Sequence, residues 1–166
     1  MGEQGSGKSI TWETLFGGRH RSGIHMLQLN RYIHSRVLLF VSSPQENRWT
    51  MSAFLNTFRN RQRGENLDIV LCSLQTTLTN NMVQRHIASA RDIIEHMDEN
   101  GFDVFIQWLN PGFISGIDNT PNITEQVMSY CDIESVIGIK KENATLNPED
   151  RVRRLRDVIL GWVQSK

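Results

Sequence analysis

The sequence predicts an α/β protein, a three-layer sandwich whose mostly parallel sheet carries helices on both faces. The first observation is that residues 37–41 are five consecutive apolar residues, mostly β-formers, which end at Ser42-Ser43-Pro44. A second apolar segment at 67–72 follows after a helix-like stretch. Short apolar runs bounded by turn residues are typical of strands buried on both faces, as in parallel sheets. Their alternation with helical patterns implies right-handed crossovers.

Local patterning predicts each element in turn. Residues 24–34 carry apolar positions at loosely helical spacing, and residues 46–62 form an amphipathic pattern that ends at Gly64. Residues 79–99 repeat apolar positions at steps of three and four, and Gly101 stands where a C-terminal cap belongs. We therefore predict helices at 24–34, 46–62, 79–99 and 123–131, and strands at 36–42, 67–73, 102–109 and 135–140.

The last helix has the clearest start signal in the chain. Asn147 is a good N-cap, Pro148 suits the first helical position, and Glu149 and Asp150 complement the helix dipole. The buried face of this helix is predicted to consist of Val152, Leu155, Val158, Ile159 and Trp162.

Length and charge limit the number of domains and the classes of partner. A chain of 166 residues can form one domain with a real core but not two ordinary ones. We expect a single α/β domain over residues 17–166, preceded by a flexible or incomplete segment at 1–16. The 18 basic and 18 acidic residues balance, so neither nucleic acid nor a membrane is expected as a partner. Two arginine clusters are interpreted as solvated helix faces: Arg59, Arg61 and Arg63, and Arg151, Arg153, Arg154 and Arg156.

The cysteines and histidines predict no metal site and no disulfide framework. Cys72 and Cys131 have no partner pattern, and the five histidines are scattered. Without a signal peptide or a long apolar stretch, a cytoplasmic or nuclear location is expected. We find no catalytic constellation and expect a non-enzymatic protein.

One motif carries a chemical mechanism. Residues 2–9, Gly-Glu-Gln-Gly-Ser-Gly-Lys-Ser, fit the phosphate-binding pattern G-x-x-x-x-G-K-[ST]. In such a loop backbone N–H groups surround phosphate, the lysine reaches the β/γ oxygens, and the serine holds Mg²⁺. The candidate phosphate-binding residues are Gly7, Lys8 and Ser9, with ATP or GTP and Mg²⁺ as the ligand.

The surroundings of this motif weigh against a working site. Such a loop follows a buried strand, whereas only Met1 precedes Gly2 here. A metal-binding Asp is expected at the end of a buried strand, but the strand at 102–109 runs into Asn110. A degenerate RecA-type nucleotide-binding protein is therefore the alternative interpretation. The start of the chain, with Ser6 behind Gly2, also fits an N-myristoylation signal.

From Gly17 onward the chain resembles a von Willebrand factor A domain. Residues 17–24 resemble the Gly-Gly-x-Thr-type loop that opens a helix in that family, and residues 36–43 and 67–73 resemble its buried strands. The sequence is most similar to the domain of the ubiquitin-receptor, non-ATPase subunit of the proteasome regulatory particle. The positions that match that family's strand motif Arg-Ile-hydrophobic-x-Phe-Val-x-Ser-Pro-x-Glu are Arg36, Phe40, Val41, Ser43, Pro44 and Glu46.

The resemblance implies a scaffolding domain that docks protein subunits of a large assembly. The family's first strand, with its Asp-x-Ser-x-Ser-like metal loop, and its acidic ubiquitin-interacting helix have no counterpart in this sequence. Metal and ubiquitin binding are therefore not expected. Loops at the carboxyl ends of two strands are expected to contact the partners. Those loops contain Ser42, Ser43, Pro44, Glu46, Asn110, Pro111, Gly112 and Phe113.

Overall fold

The computed structural model describes residues 1–2, 7–76, 78–110, 136–143 and 148–165. The helices in these ranges are α1 (Lys8–Phe16), α2 (Met51–Gln62), α3 (Asn80–Gln84), α4 (Ala90–Glu99) and α5 (Pro148–Gln164). The strands are β1 (Gly23–Gln28), β2 (His34–Phe40), β3 (Ile69–Cys72), β4 (Val104–Asn110) and β5 (Val136–Asn143). The helix predicted at 123–131 lies outside the described residues.

The strands pair in both senses. β1 runs antiparallel to β2, with Gly23 opposite Leu39. β2 is parallel to β3, and β4 is parallel to β5. The prediction of an α/β protein is therefore confirmed in its general form, and the pairing is mixed because β1 joins the edge of β2 as a hairpin.

Met1 and Gly2 lie between β3 and β4. The Gly2 N–H donates to the Leu74 carbonyl at 3.0 Å, just beyond β3. On the other side the Leu109 N–H of β4 donates to the Met1 carbonyl at 2.8 Å, and Gly2 pairs with Leu109 in a parallel bridge. Backbone hydrogen bonds toward β3 and β4 therefore hold the start of the phosphate-binding motif, although Gly2 forms an isolated bridge and belongs to no strand of the described residues.

The apolar core packs against both faces of β2. Its alternate side chains point to opposite sides of the sheet, as they must in any strand. Val37 and Leu39 belong to a cluster with Leu15 of α1 and the apolar face of α5. Leu38 and Phe40 belong to another, which contains side chains of α2, α4 and β4. Burial in these two clusters, worth about 25 cal/mol per Å² of apolar surface, fixes α1 and α5 on one face of β2 and α2 and α4 on the other.

The helix predicted at 24–34 is wrong, since this region contains β1. In β1 Leu27 is buried, whereas Met26 is 59% exposed and Gln28 is also exposed. This alternation is the period of a half-buried strand. The helix was predicted because the apolar residues of this region also have a loosely helical spacing.

The helix predicted over residues 79–99 is two shorter helices, α3 and α4. Ser89 starts α4 with a capping box, in which its hydroxyl accepts from the Asp92 N–H and its own N–H donates to the Asp92 carboxylate. Between the helices His86 has a φ of 52°, which is outside the right-handed helical region. The cap predicted at Gly101 is confirmed, with a φ of 76° and an N–H that donates into the last turn of α4.

α5 begins at Pro148 as predicted, while Asn147 lies outside the described residues. Its buried face includes Val152, Leu155 and Ile159. Val158 and Trp162 are half-buried. The arginine clusters are solvated only in part: Arg59, Arg63, Arg153 and Arg154 are exposed, Arg61 and Arg156 are half-buried, and Arg151 is buried.

α1 falls within residues 1–16, which we expected to be flexible or incomplete. It is a nine-residue helix whose Leu15 side chain is fully buried against β1, β2 and α5. The described part of this segment is thus packed into the core. None of the helices within the described ranges is long and apolar enough to cross a membrane.

Candidate phosphate-binding site

The phosphate-binding motif begins at Gly2, which bridges to Leu109 of β4, and ends in the first turn of α1. Gly7 is the N-cap of α1, with φ 83° and ψ 18°. A side chain at this φ is strained, so the backbone needs glycine at this position of the motif. Gly7 has no side chain that could cap the first turn of α1. A helix start of this kind favours an anion.

Lys8 is buried at the start of α1, with 7% of its surface exposed. Its Nζ donates to the Gly2 carbonyl at 2.8 Å, so the side chain folds back across the motif. The same Nζ lies 3.8 Å from Oε1 of Glu46. The candidate site therefore holds an ammonium group at the point where a phosphate-binding lysine is required.

Glu46 is positioned by the turn that follows β2. Its Oε2 accepts from the Ser43 N–H at 3.0 Å, and its own N–H donates to the Ser43 hydroxyl at 3.1 Å. The buried side chain of Gln45 ties the same turn to its surroundings, since it donates to the Ala88 carbonyl at 2.7 Å and accepts from the Gln75 N–H at 3.1 Å. These bonds hold the Glu46 carboxylate beside Lys8.

α1 is also tied to the end of β3. Nε1 of Trp12 donates to the Ser73 hydroxyl at 2.7 Å, and Ser73 is almost fully buried. Ser73 and Asn110 stand at the ends of the strands on either side of Met1 and Gly2, where a metal-binding carboxylate is absent. In the ranges that the structure describes, no group of three or more His, Cys, Asp or Glu residues could hold a metal ion.

Ser9, the third candidate phosphate-binding residue, is exposed in the first turn of α1. Gly7, Lys8 and Ser9 thus stand together at the helix start, with the Lys8 side chain turned inward. Glu46, which was predicted to contact a protein partner, lies beside this group. A contact between residues so far apart in the chain leaves no local pattern that would have revealed it.

The predicted partner-binding residues are divided between surface and interior. Ser43 and Pro44 are fully buried, Ser42 is half-buried, and the Glu46 side chain is 33% exposed. A partner at this loop would therefore meet Ser42 and Glu46 first. Asn110 is the last residue of β4, and Pro111, Gly112 and Phe113 lie outside the described residues.

A cavity of about 630 Å³ lies between β3 and β4, with Lys8 and Trp12 on its wall. The rest of its lining is mostly apolar and comes from both strands, α4 and α5. Charged phosphates are costly to bury against such a lining. We therefore assign the phosphate-facing side of the motif to the start of α1 and not to this cavity.

Cys72 lines the same cavity, and its thiol is expected to react slowly in the folded protein. Burial raises the pKa of its thiol to about 12. Since the thiolate is the reactive form, a raised pKa makes this thiol slow to react at pH 8. In a Cys131→Ser background, we expect labelling of Cys72 by a disulfide reagent to be slow in the folded protein and fast in denaturant. Equal rates in the two conditions would contradict the burial of this thiol.

Comparison with known proteins identifies no relative: no protein-family model, curated protein or solved structure matches the chain. The resemblance to a von Willebrand factor A domain therefore stays a prediction. One of its parts is wrong, because the loop at residues 17–24 was expected to open a helix. Gly17, with a φ of 75°, instead ends α1, and the chain then enters β1.

Proposed function

We propose that this chain binds the phosphate groups of a nucleoside triphosphate, ATP or GTP, through residues 2–9. The observation that carries the proposal is the position of Met1 and Gly2 between β3 and β4, at the start of the motif that leads into α1. A loop between a strand end and a helix start is the context in which this motif binds phosphate. For this reason we prefer nucleotide binding, the alternative interpretation of the sequence, to the scaffolding role.

The state of Lys8 supports the same function. A buried ammonium group needs polar partners, and those of Lys8 include the Gly2 carbonyl, to which it donates, and the Glu46 carboxylate, with which it forms an ion pair. A phosphate that reaches Gly7 would offer Lys8 anionic oxygens, which attract an ammonium group more strongly than a neutral carbonyl oxygen does. Lys8 is thus placed to exchange the Gly2 carbonyl for phosphate.

The proposal is limited to phosphate recognition. The Ser9 hydroxyl fits the role of the motif's Mg²⁺ ligand, since it is exposed at the start of α1. The neighbouring strand ends carry Ser73 and Asn110 in place of a metal-binding carboxylate. We therefore propose binding alone, with Mg²⁺ as an ion that accompanies the nucleotide.

We also propose that the described strands belong to one sheet of a three-layer sandwich with a mostly parallel centre. Two observations support it: Met1 and Gly2 hydrogen-bond toward both β3 and β4, and helices pack on both faces of β2. In an open α/β sheet, ligands bind beyond the carboxyl ends of the strands. That is the end of the sheet from which Gly2 leaves.

A scaffolding role in a proteasome-like assembly, with a cytoplasmic or nuclear location, stays a prediction from the sequence. The buried Ser43 and Pro44 leave less surface for docking at that loop than the resemblance implied. No described contact favours this role over phosphate binding.

A ligand series tests the proposed function. We expect tripolyphosphate, ATP and GTP, each with and without Mg²⁺, to raise the thermal unfolding midpoint, and adenosine and guanosine to leave it unchanged. A ligand at 100 times its Kd stabilises the folded state by about 2.7 kcal/mol. If no phosphate-bearing ligand shifts the midpoint at millimolar concentration, the proposal fails.

A further inference from the structure

We propose that Arg151 is a second cation of this phosphate site, an inference that rests on the proposed function. Arg151 lies in the first turns of α5 and is 2% exposed, unlike Arg153 and Arg154 on the same helix. Its Nη2 and Nη1 lie 3.7 and 3.8 Å from the position that a Cβ atom would occupy on Gly7. A guanidinium group therefore sits against the glycine that starts α1.

The position of Arg151 is fixed from two sides. Its carbonyl accepts a hydrogen bond from Nε2 of Gln107 in β4 at 3.1 Å. The residues that follow it, Val152 and Leu155, pack in the same apolar cluster as Leu15 of α1. α1 and α5 are thus held together by buried side chains, and Arg151 reaches the motif from a helix more than 140 residues away in the chain.

The chemistry of arginine suits a phosphate at this position. Its guanidinium is planar and always charged, and it can donate two parallel hydrogen bonds to one phosphate. The Gly7 N–H is one of the motif's phosphate donors. A polyphosphate chain bound there can contact Lys8 with one phosphate group and Arg151 with another. Because both cations are buried, their attraction for phosphate is less weakened by water than that of a surface arginine.

Arg156, on the same helix as Arg151, contacts α1 at its other end. Its Nη2 donates to the Leu15 carbonyl at 2.6 Å, at the end of α1 away from the motif. Arg151 is placed at the opposite end of α1, beside Gly7. Of these two arginines of α5, Arg151 is the one that lies beside the motif.

Two cations predict a preference for highly charged ligands. We expect the site to bind tripolyphosphate much more tightly than inorganic phosphate, because a longer chain can contact Lys8 and Arg151 together. An arginine that merely shapes the loop would affect both ligands by the same factor. The ratio of the two affinities therefore separates a direct contact from a structural one.

The test measures Kd for tripolyphosphate and for inorganic phosphate by calorimetric titration. We expect Arg151→Gln to weaken tripolyphosphate binding by about tenfold to a hundredfold and phosphate binding far less, as loss of a charged hydrogen-bond donor predicts. Arg151→Lys should recover part of the lost affinity, since it keeps the positive charge but lacks the planar guanidinium that donates two parallel hydrogen bonds. Arg154→Gln, an exposed charge removed from the same helix, should stay within about twofold of the wild type.

The outcomes separate this inference from the proposed function. Suppose that the wild type binds tripolyphosphate, and that Arg151→Gln either binds it equally well or binds both ligands more weakly by the same factor. This inference is then overturned, while the proposed function stands. A wild type that binds neither ligand overturns the proposed function with it. Ligand-free thermal unfolding shows whether Arg151→Gln is folded. If it is not folded, Arg151→Lys is titrated instead. Unchanged tripolyphosphate affinity in that variant would contradict a direct contact between Arg151 and phosphate.

Discussion

Replacement of Lys8 by methionine is expected to weaken tripolyphosphate binding by about tenfold to a hundredfold, the cost of losing a hydrogen-bond donor that carries charge. The Lys8 side chain is 7% exposed, and its Nζ lies at the motif, bonded to the Gly2 carbonyl. Methionine keeps an unbranched side chain of similar length in the buried space, so the fold should be retained. The measurement is Kd by calorimetric titration, with the ligand-free unfolding midpoint as the measure of folding.

The matched control for Lys8 is Arg63→Gln, which removes one positive charge from an exposed position beyond α2. It should bind tripolyphosphate as the wild type does, because an exposed charge away from the ligand contributes little. If Lys8→Met binds as tightly as Arg63→Gln, Lys8 does not contact phosphate, and binding through residues 2–9 is contradicted.

Replacement of Leu15 by alanine is expected to lower the free energy of unfolding by about 2–5 kcal/mol, the range for a large-to-small change in a packed core. Leu15 is fully buried between α1, β1, β2 and α5. Its removal leaves a cavity where α1 meets the sheet. Urea unfolding followed by circular dichroism measures the loss.

Ile10→Ala is the control for Leu15, because it truncates a residue of the same helix that is 40% exposed. It should cost much less, since most surface substitutions fall within about 0.5 kcal/mol. Equal effects of the two variants would indicate that α1 is not packed in the core. The helix would then be unable to hold the phosphate-binding residues in place.

The sequence predicted the elements that have a local signal. β2 and β3 are apolar runs, α2 has an amphipathic pattern, and α5 begins at a proline followed by acidic residues. β1 was missed because a half-exposed edge strand of six residues has few apolar positions. The break between α3 and α4 was missed because apolar spacing continues across it, although Ser89 and Asp92 form a recognisable capping box.

The candidate site was predicted only in part, for the same physical reason. Gly7, Lys8 and Ser9 form a contiguous motif that can be recognised in isolation. Its context depends on pairing between Met1 and β4, more than one hundred residues away, which no local window contains. The approach of Arg151 to Gly7 is equally non-local. Local composition assigned Arg151 to a solvated face, and tertiary packing buried it.

The most direct test of phosphate binding through residues 2–9 is a titration of the isotope-labelled protein with tripolyphosphate, followed by amide nuclear magnetic resonance. Backbone N–H groups that bind phosphate change their chemical shifts when the ligand occupies the site. We predict saturable shifts of the Gly7, Lys8 and Ser9 amides, which Lys8→Met weakens. Binding that leaves these three amides unchanged, or no binding at all, would contradict the proposed site.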